Sequence, residues 1–302
     1  MNFLSIKETL KNIAPQPLRK YVRDYFKKYR ELKIALGRLQ NKNLSADIIS
    51  KTLTQLGICE GDTVLVHSSL SRIGYVDGGA SAVVSALLKT VGPNGTLGAP
   101  TFWGNTSIYL EGQRDYNVNS SPSVLGIIAE TIRTHPKALR SLHPTHSASF
   151  IGANAAFLVK DHHLDNTPIG RHSPYRKLVD IGGKIVLLNV TIEYLTNFHT
   201  IEDEVDDFPF KVYLDNPLTF NVTDNEGNTS KITTYCHCPE MGKKRQCIKM
   251  RPYLLDNNVM KEAKLGNGIV SVLDANKLHT TLLRLYQKGI TMYAPTPEMK
   301  DS

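Results

Sequence analysis

Cysteine and long apolar stretches are scarce in this sequence. Four cysteines in 302 residues are too few to indicate a disulfide framework. No apolar run approaches the roughly 20 residues that a membrane-spanning helix requires. The first ten residues, MNFLSIKETL, lack the apolar segment and the cleavage site of a secretion signal. We therefore expect a protein of the cytoplasm.

A uniform basic charge is also missing, although the formal net charge is +8. Residues 1–50 hold eleven Lys or Arg against four Asp or Glu, whereas the remaining residues hold 25 against 24. The excess therefore belongs to the N-terminal part and says little about a substrate. Nucleic acid is not an expected partner, because no recognisable nucleic-acid-binding motif accompanies the charge.

Residues 1–42 form a candidate N-terminal arm, which precedes a main domain of residues 43–302. Apolar side chains recur in the arm at alternating spacings of four and three, which predicts one stripe of a helix. Two interpretations are open: the arm packs on its own domain or on a second subunit of a homo-oligomer, or it lies on anionic lipid at a membrane surface. The stripe consists of Leu18, Val22, Tyr25, Tyr29, Leu32, Leu36 and Leu39.

Strands and helices alternate along the main domain, which predicts a three-layer α/β/α sandwich around a largely parallel sheet. A turn-rich TDNEGN segment also predicts an antiparallel hairpin that joins this sheet. The predicted strands are 63–66, 95–100 and 184–190, the hairpin strands are 211–214 and 230–234, and the predicted helices are 43–55, 80–91, 123–134, 195–204 and 278–288.

Polar residues follow the first predicted strand, and a glycine pair precedes the helix after it. His67, Ser68 and Ser69 end the strand, and ligands of open α/β sheets bind at such strand ends. Gly78 and Gly79 would let backbone N–H groups approach a pyrophosphate at a helix N-terminus. An ordinary glycine-rich loop explains the pair equally well, since no complete phosphate-binding fingerprint is present.

Two further segments carry histidines. His143 and His146 lie in the loop HPTHS, where a catalytic or binding role and a structural turn are equally open. Thr196, His199 and Glu202 are three apart, so they share one face of a helix. A carboxylate beside an imidazole raises its basicity and fixes its tautomer, which makes His199 a candidate general base. Taken alone, the segment is better explained as a solvated acidic helix end with an incidental histidine.

Together these segments resemble the aminoglycoside 3-N-acetyltransferase family, the antibiotic N-acetyltransferases. The resemblance covers about residues 48–207. It is carried by GDTVLVHSSLSRIG, VDGGASAVVSALLKTVGPNGTL, APTF, HPTHS, TPIGRHSPYRKL, GGKIVLLNV and TNFHTIEDE.

The resemblance implies direct transfer of an acetyl group from acetyl-CoA to an amine, with His199 as general base and Glu202 in the same motif. It also implies a more distant glutamate that orients the base, for which Glu240 is a candidate. The implied cofactor-binding residues are His67, Ser68, Ser69, Leu70, Val76, Gly78, Gly79, Ala80 and Thr101. The acceptor side is expected to use Thr196, Asp203, Asp206, His143 and His146.

The segment YCHCPEMGKKRQC departs from the family pattern. Cys236, His237, Cys238 and Cys247 include enough soft ligands for zinc, but their spacing is not that of a paired zinc motif. We therefore expect free thiols and no metal.

The acceptor stays open between an aminoglycoside and a nucleotide-linked amino sugar of surface polysaccharide synthesis. The first would favour the acidic cluster around Asp206, and the second the basic run from Lys243 to Arg245. A non-catalytic CoA-binding scaffold is the alternative from a different class.

Overall fold

The computed structural model describes residues 44–293, together with Tyr21, Asp24 and Lys28 of the arm, which are helical. The predicted apolar stripe of the arm lies outside the described residues. Within the described part of the chain, no helix is long and apolar enough to cross a membrane.

Ten strands and ten α-helices make up the described main domain. The strands are β1 Thr63–Ser68, β2 Thr96–Pro100, β3 Asp115–Asn117, β4 Leu139–Arg140, β5 Ala148–Gly152, β6 Lys184–Leu188, β7 Leu218–Thr223, β8 Thr229–Thr234, β9 Met260–Leu265 and β10 Gly268–Asp274. The α-helices are α1 Ala46–Gln55, α2 Leu70–Ile73, α3 Gly79–Val91, α4 Thr106–Leu110, α5 Ile127–Arg133, α6 Ala155–Val159, α7 Pro174–Asp180, α8 Pro239–Lys243, α9 Arg251–Asp256 and α10 Ala275–Tyr286. Short 3₁₀-helices span His162–Leu164, Ile192–Tyr194, Thr196–Ile201 and Cys247–Met250.

Seven strands form the central sheet in the order β4-β5-β2-β1-β6-β10-β9. The three central strands, β2, β1 and β6, are parallel, and the strands on both flanks pair antiparallel. The predicted α/β fold is confirmed, with its parallel part at the centre of the sheet. The carboxyl ends of β1, β2 and β6 consequently meet at one edge, where a ligand site is expected.

Both faces of the sheet are covered. Successive side chains of a strand point to opposite faces, so Val64 and Val66 pack into one core with α1 and α3 while Leu65 packs into the other with α7 and α10. The helices on one face, the sheet, and the helices on the other face are the three predicted layers. The sheet is thereby held between helices, and its strand ends remain the accessible part.

Local signals set several helix ends. The Ser45 side chain caps α1 by accepting a hydrogen bond from the Ile48 backbone N–H at 3.3 Å. Gly92 ends α3 at a φ of +68°, a left-handed value that favours glycine. The helix predicted at 123–134 begins only at Ile127, because Gly126 before it has a φ of +101°.

The predicted hairpin needs correction in its first strand and in its position. Its strands are β7 and β8, and with β3 they form a separate three-stranded sheet. Residues 211–214 make a single bridge, between Tyr213 and His237. The first strand is β7 because its side chains alternate between buried and exposed. Phe220 and Val222 are buried in a third core with Tyr109 and Tyr116, and Asn221 between them is exposed.

Candidate active site

A cavity of about 960 Å³ opens at the carboxyl ends of β1 and β2 and beside the segment that follows β6. Its walls include Ser68 at the end of β1, Pro100 at the end of β2, and Val190. The 3₁₀-helix Thr196–Ile201 and the segment from His237 to Arg245 close the opposite side. The size suits a ligand larger than a single sugar ring.

His199 and Glu202 form a buried pair at one wall of this cavity. His199 Nδ1 lies 2.8 Å from Glu202 Oε1. The local helix is 3₁₀ rather than the predicted α-helix, and a 3₁₀-helix aligns residues three apart on one face. The sequence prediction that these two side chains meet is therefore fulfilled through a different helix type.

Two more side chains contact the Glu202 carboxylate. The Tyr293 hydroxyl donates to Oε1 at 2.6 Å, and His237 Nε2 lies 3.1 Å from Oε2. Burial by itself raises the pKa of Glu202, but the two histidines and their hydrogen bonds outweigh burial and hold the pKa at about 2. Glu202 is consequently an ionised carboxylate at neutral pH.

The partners of His199 define which ring nitrogen carries its proton. Nδ1 donates to the ionised Glu202, and Nε2 accepts from Arg245 Nη1 at 3.2 Å. Burial lowers the pKa of His199, and His237 and Arg245 lower it further, whereas Glu202 opposes them. The imidazole is therefore neutral, and its basic nitrogen lies at the cavity wall.

The two histidines of HPTHS have different surroundings. His146 lines the cavity, with its ring centroid 4.4 Å from Phe102 and 5.1 Å from His237. His143 lies outside the lining, fully buried, with Nε2 3.0 Å from the Thr234 hydroxyl and its ring stacked on His162. Only His146 is placed to contact a ligand.

Some of the predicted cofactor-binding residues line the cavity and others do not. His67, Ser68 and Ser69 line the cavity. His67 is buried, its Nε2 has no hydrogen-bond partner among the described residues, and burial lowers its pKa to about 3. A neutral ring with an unsatisfied nitrogen is suited to hydrogen-bond a ligand.

The other predicted cofactor residues do not line the cavity. Val76 and Ala80 belong to the core that contains α1 and α3, and Thr101 is buried against the Ser149 hydroxyl at 3.0 Å. Leu70, Gly78 and Gly79 lie at the starts of α2 and α3, outside the cavity lining.

Of the acidic residues predicted for catalysis or acceptor binding, Glu202 is the one that contacts His199. Glu240 is exposed and pairs with Lys243 at 2.6 Å. Asp203 accepts a hydrogen bond from Tyr213, and Asp206 is exposed outside the lining. Thr196 does line the cavity.

His237, Arg245 and Tyr293 are the site residues that sequence reasoning missed as a group. His237 attracted attention as a zinc ligand and Arg245 as a phosphate contact, but no local signal linked either to His199. An isolated backbone bridge joins Arg245 to Tyr293, and the two side chains contact His199 and Glu202 respectively. Tyr293 lies 91 positions from Glu202 along the chain, beyond any local pattern.

The described residues include one group with metal-ligand geometry. Donor atoms of His199, Glu202 and His237 lie within 4.8 Å of one another. Both histidines form hydrogen bonds with the Glu202 carboxylate, which accounts for these two contacts without an ion. The cysteines are dispersed, since Cys236 packs in the third core while Cys247 contacts Met292.

Residues 65–287 match the model of the family described as aminoglycoside 3-N-acetyltransferase. The chain belongs to this family. Aminoglycoside N(3)-acetyltransferase VII of Streptomyces paromomycinus is 33% identical over 197 residues, which cover 60% of this chain and 68% of that protein. The family consists of acetyl-CoA-dependent acyltransferases, so the cavity belongs to an enzyme of this class.

Solved structures of aminoglycoside acetyltransferases share the fold. The structure of AAC(3)-Xa superposes with a TM-score of 0.74 at 27% identity, covering 86% of this chain and 98% of that one. The AAC-IIIb binary complex with CoASH gives a TM-score of 0.71 at 24% identity, covering 84% and 100%. Acetyl-CoA is accordingly the acetyl donor of the family.

Proposed function

We propose that this chain transfers the acetyl group of acetyl-CoA to an amino group of an amino-sugar acceptor, the class to which aminoglycosides belong, with His199 as general base. One observation carries the proposal. The basic nitrogen of a neutral His199 lies at the wall of a large cavity, and an ionised Glu202 fixes the tautomer from behind. Family membership supplies the reaction type.

Proton transfer is the first task of the site. An acceptor amine is protonated at neutral pH and has no lone pair in that form. Nε2 of His199 removes one proton from this ammonium. The lone pair that is freed attacks the thioester carbon, and the nitrogen gives up a second proton as the amide forms and the CoA thiolate is protonated. The imidazolium that forms is stabilised by the Glu202 carboxylate 2.8 Å from Nδ1, as expected for a carboxylate that accepts from the far side of a catalytic imidazole.

Charge then develops on the thioester oxygen. The tetrahedral intermediate needs hydrogen-bond donors, and we assign this role to groups at the end of β1, where His67, Ser68 and Ser69 line the cavity. Collapse of the intermediate breaks the carbon–sulfur bond, and CoA leaves as a thiolate that takes up a proton. The products are the acetylated amine and CoA.

The test is a screen of the purified full-length protein for thiol release from acetyl-CoA. Paromomycin, kanamycin, glucosamine and nucleotide-linked amino sugars are offered separately, and mass spectrometry looks for a product heavier by one acetyl unit. Thiol release that depends on one of these amines supports the proposal. Binding of CoA by calorimetry without release from any amine would instead identify a non-catalytic CoA-binding scaffold.

A further inference from the structure

The charge of the cavity lining does not suit a polycationic acceptor. Among the described lining residues, the cations are Arg72, Lys243 and Arg245, and Glu193 is the one carboxylate. The acidic residues that would attract a polyamine lie elsewhere, because Asp203 bonds Tyr213 and Asp206 is exposed outside the lining. Cations therefore outnumber carboxylates in the lining by three to one, while the ionised Glu202 lies behind His199 and is bonded to His199, His237 and Tyr293.

Arg245 is the cation nearest the base. Its Nη1 lies 3.2 Å from His199 Nε2, and its Nε donates to the Gly242 carbonyl at 3.3 Å. Within residues 44–293, no carboxylate forms an ion pair with Arg245. An exposed guanidinium with unused N–H groups is suited to bidentate binding of a phosphoryl group.

The reaction places the acceptor beside this guanidinium. A nitrogen that gives its proton to His199 Nε2 must come within hydrogen-bond distance of that atom, and hence next to Arg245 Nη1. A second cation there is repelled, whereas an anion on the same sugar is attracted. Lys243 also lines the cavity, and its partner Glu240 is exposed, so this weak surface pair can yield to a dianionic group.

We propose that the acceptor is an amino sugar with a phosphoryl group close to its amine, and that Arg245 binds this group. The inference rests on the proposed function, since it concerns the acceptor of the same reaction. The proposal also implies that Arg245 controls access to His199 Nε2. In the structure Arg245 donates to the lone pair that the base needs, so a phosphoryl group that draws the guanidinium away uncovers Nε2.

The phosphates of CoA do not account for Arg245. In acetyl-CoA the whole pantetheine arm separates the phosphates from the thioester, and Arg245 is within hydrogen-bond distance of the base that works at the thioester.

The test compares matched acceptors and inhibitors on the full-length enzyme. Glucosamine 1-phosphate and a nucleotide-linked glucosamine should each exceed glucosamine in kcat/KM by at least about tenfold, and the better of the two identifies the source of the phosphoryl group. In Arg245→Ala the preference should fall towards one, while the KM for acetyl-CoA stays unchanged. Lys244→Ala is the matched control, because Lys244 is exposed and outside the lining.

Inhibition makes the test independent of where the amine sits on the sugar. Against any amine that the enzyme acetylates, glucose 1-phosphate should compete with the acceptor, glucose should not, and Arg245→Ala should abolish the competition. Acetylation of paromomycin with no competition by glucose 1-phosphate would overturn the inference while leaving the acetyltransferase proposal intact. An absence of thiol release with every amine would overturn both.

Discussion

Glu202 receives hydrogen bonds from three side chains that come from separate parts of the fold. His199 is on the same 3₁₀-helix, His237 follows β8, and Tyr293 lies beyond α10. A buried carboxylate is costly unless such donors satisfy it. Their convergence keeps Glu202 ionised, and an ionised Glu202 in turn holds His199 in the tautomer whose basic nitrogen lies at the cavity wall.

Replacing Glu202 by Gln should weaken the base without removing it. We expect kcat to fall by about 10²-fold. The acid limb of kcat/KM should also move to lower pH, since the carboxylate that raises the pKa of His199 is lost. Thiol release measured from pH 5.5 to 8.5 checks both effects.

Asp207→Asn provides the control for this change, because Asp207 is an exposed acidic residue of the same region and lies outside the cavity lining. It should leave the pH profile unchanged. A Glu202→Gln variant with the same profile as the unmodified enzyme would show that the carboxylate does not tune the imidazole.

For individual residues, the sequence predicts contacts between side chains that are close together in the chain. His199 and Glu202 are three residues apart, so helical spacing alone pairs them, and the strand-end position of His67 predicts its place at the cavity. Arg245 and Tyr293 were not predictable as partners of His199 and Glu202, because they lie far from them along the chain. Glu240 was a candidate only through the family resemblance, and its side chain pairs with Lys243 at the surface.

The 3₁₀-helix that carries the base is anchored at both sides. The Thr200 hydroxyl lies 2.9 Å from His279 Nδ1 on α10. Upstream, Asn189 follows β6 at a φ of +57°, and its Nδ2 donates to the Leu265 carbonyl at 3.0 Å and to the Arg72 carbonyl at 3.3 Å. Asn189 thus ties the chain that leads to His199 to two other segments.

Asn189→Ala should destabilise the fold by about 2–3 kcal/mol, because it removes two hydrogen bonds and because Ala adopts the left-handed region less readily than Asn does. Asn189→Gly loses the same bonds but tolerates the backbone, so its cost should be about 1 kcal/mol smaller. Urea unfolding of both variants measures the difference. Equal losses would show that the backbone conformation at this position is not under strain.

Element type is where sequence reasoning was least accurate. A run of residues with helical spacing predicts a helix but does not separate 3₁₀ from α, because residues three apart share a face in both helix types. The first hairpin strand was predicted at the wrong residues. The composition of 211–214 and that of β7 are both typical of a strand, and β7 is the one whose side chains are buried against Tyr109 and Tyr116.

Buried histidines give the whole molecule a predicted sensitivity to acid. Burial lowers the pKa of six of the described histidines: His67, His143, His146, His162, His199 and His279. Because each pKa is lower in the folded state than in the unfolded chain, the unfolded chain binds more protons below pH 6.5, and stability is lost as the pH falls.

Each such proton costs about 1.4 kcal/mol per pH unit, against a total stability of about 5–15 kcal/mol for a typical domain. We therefore expect the protein to unfold between about pH 6 and pH 4. Urea unfolding followed by circular dichroism at pH 8, 7, 6 and 5 checks this expectation. A free energy of unfolding that stays constant from pH 7 to pH 5 would contradict it.

The N-terminal arm is predicted to be separable from the chemistry. The described main domain begins at Leu44, whose backbone N–H donates to the Tyr75 carbonyl at 3.2 Å, and the cavity lining starts at Val66. Deletion of residues 1–40 should therefore leave kcat/KM within about twofold and change oligomeric state or vesicle binding. Sedimentation and vesicle flotation measure the second effect, and a folded but inactive truncation would refute the separation.

The central claim is that a neutral His199 removes the proton from the acceptor amine. Its most direct test is His199→Ala, with turnover measured by thiol release and acetyl-CoA affinity measured by calorimetry on the same preparation. We expect turnover to fall by about 10³-fold while the Kd for acetyl-CoA changes by less than about twofold. Near-normal turnover in this variant would contradict the account.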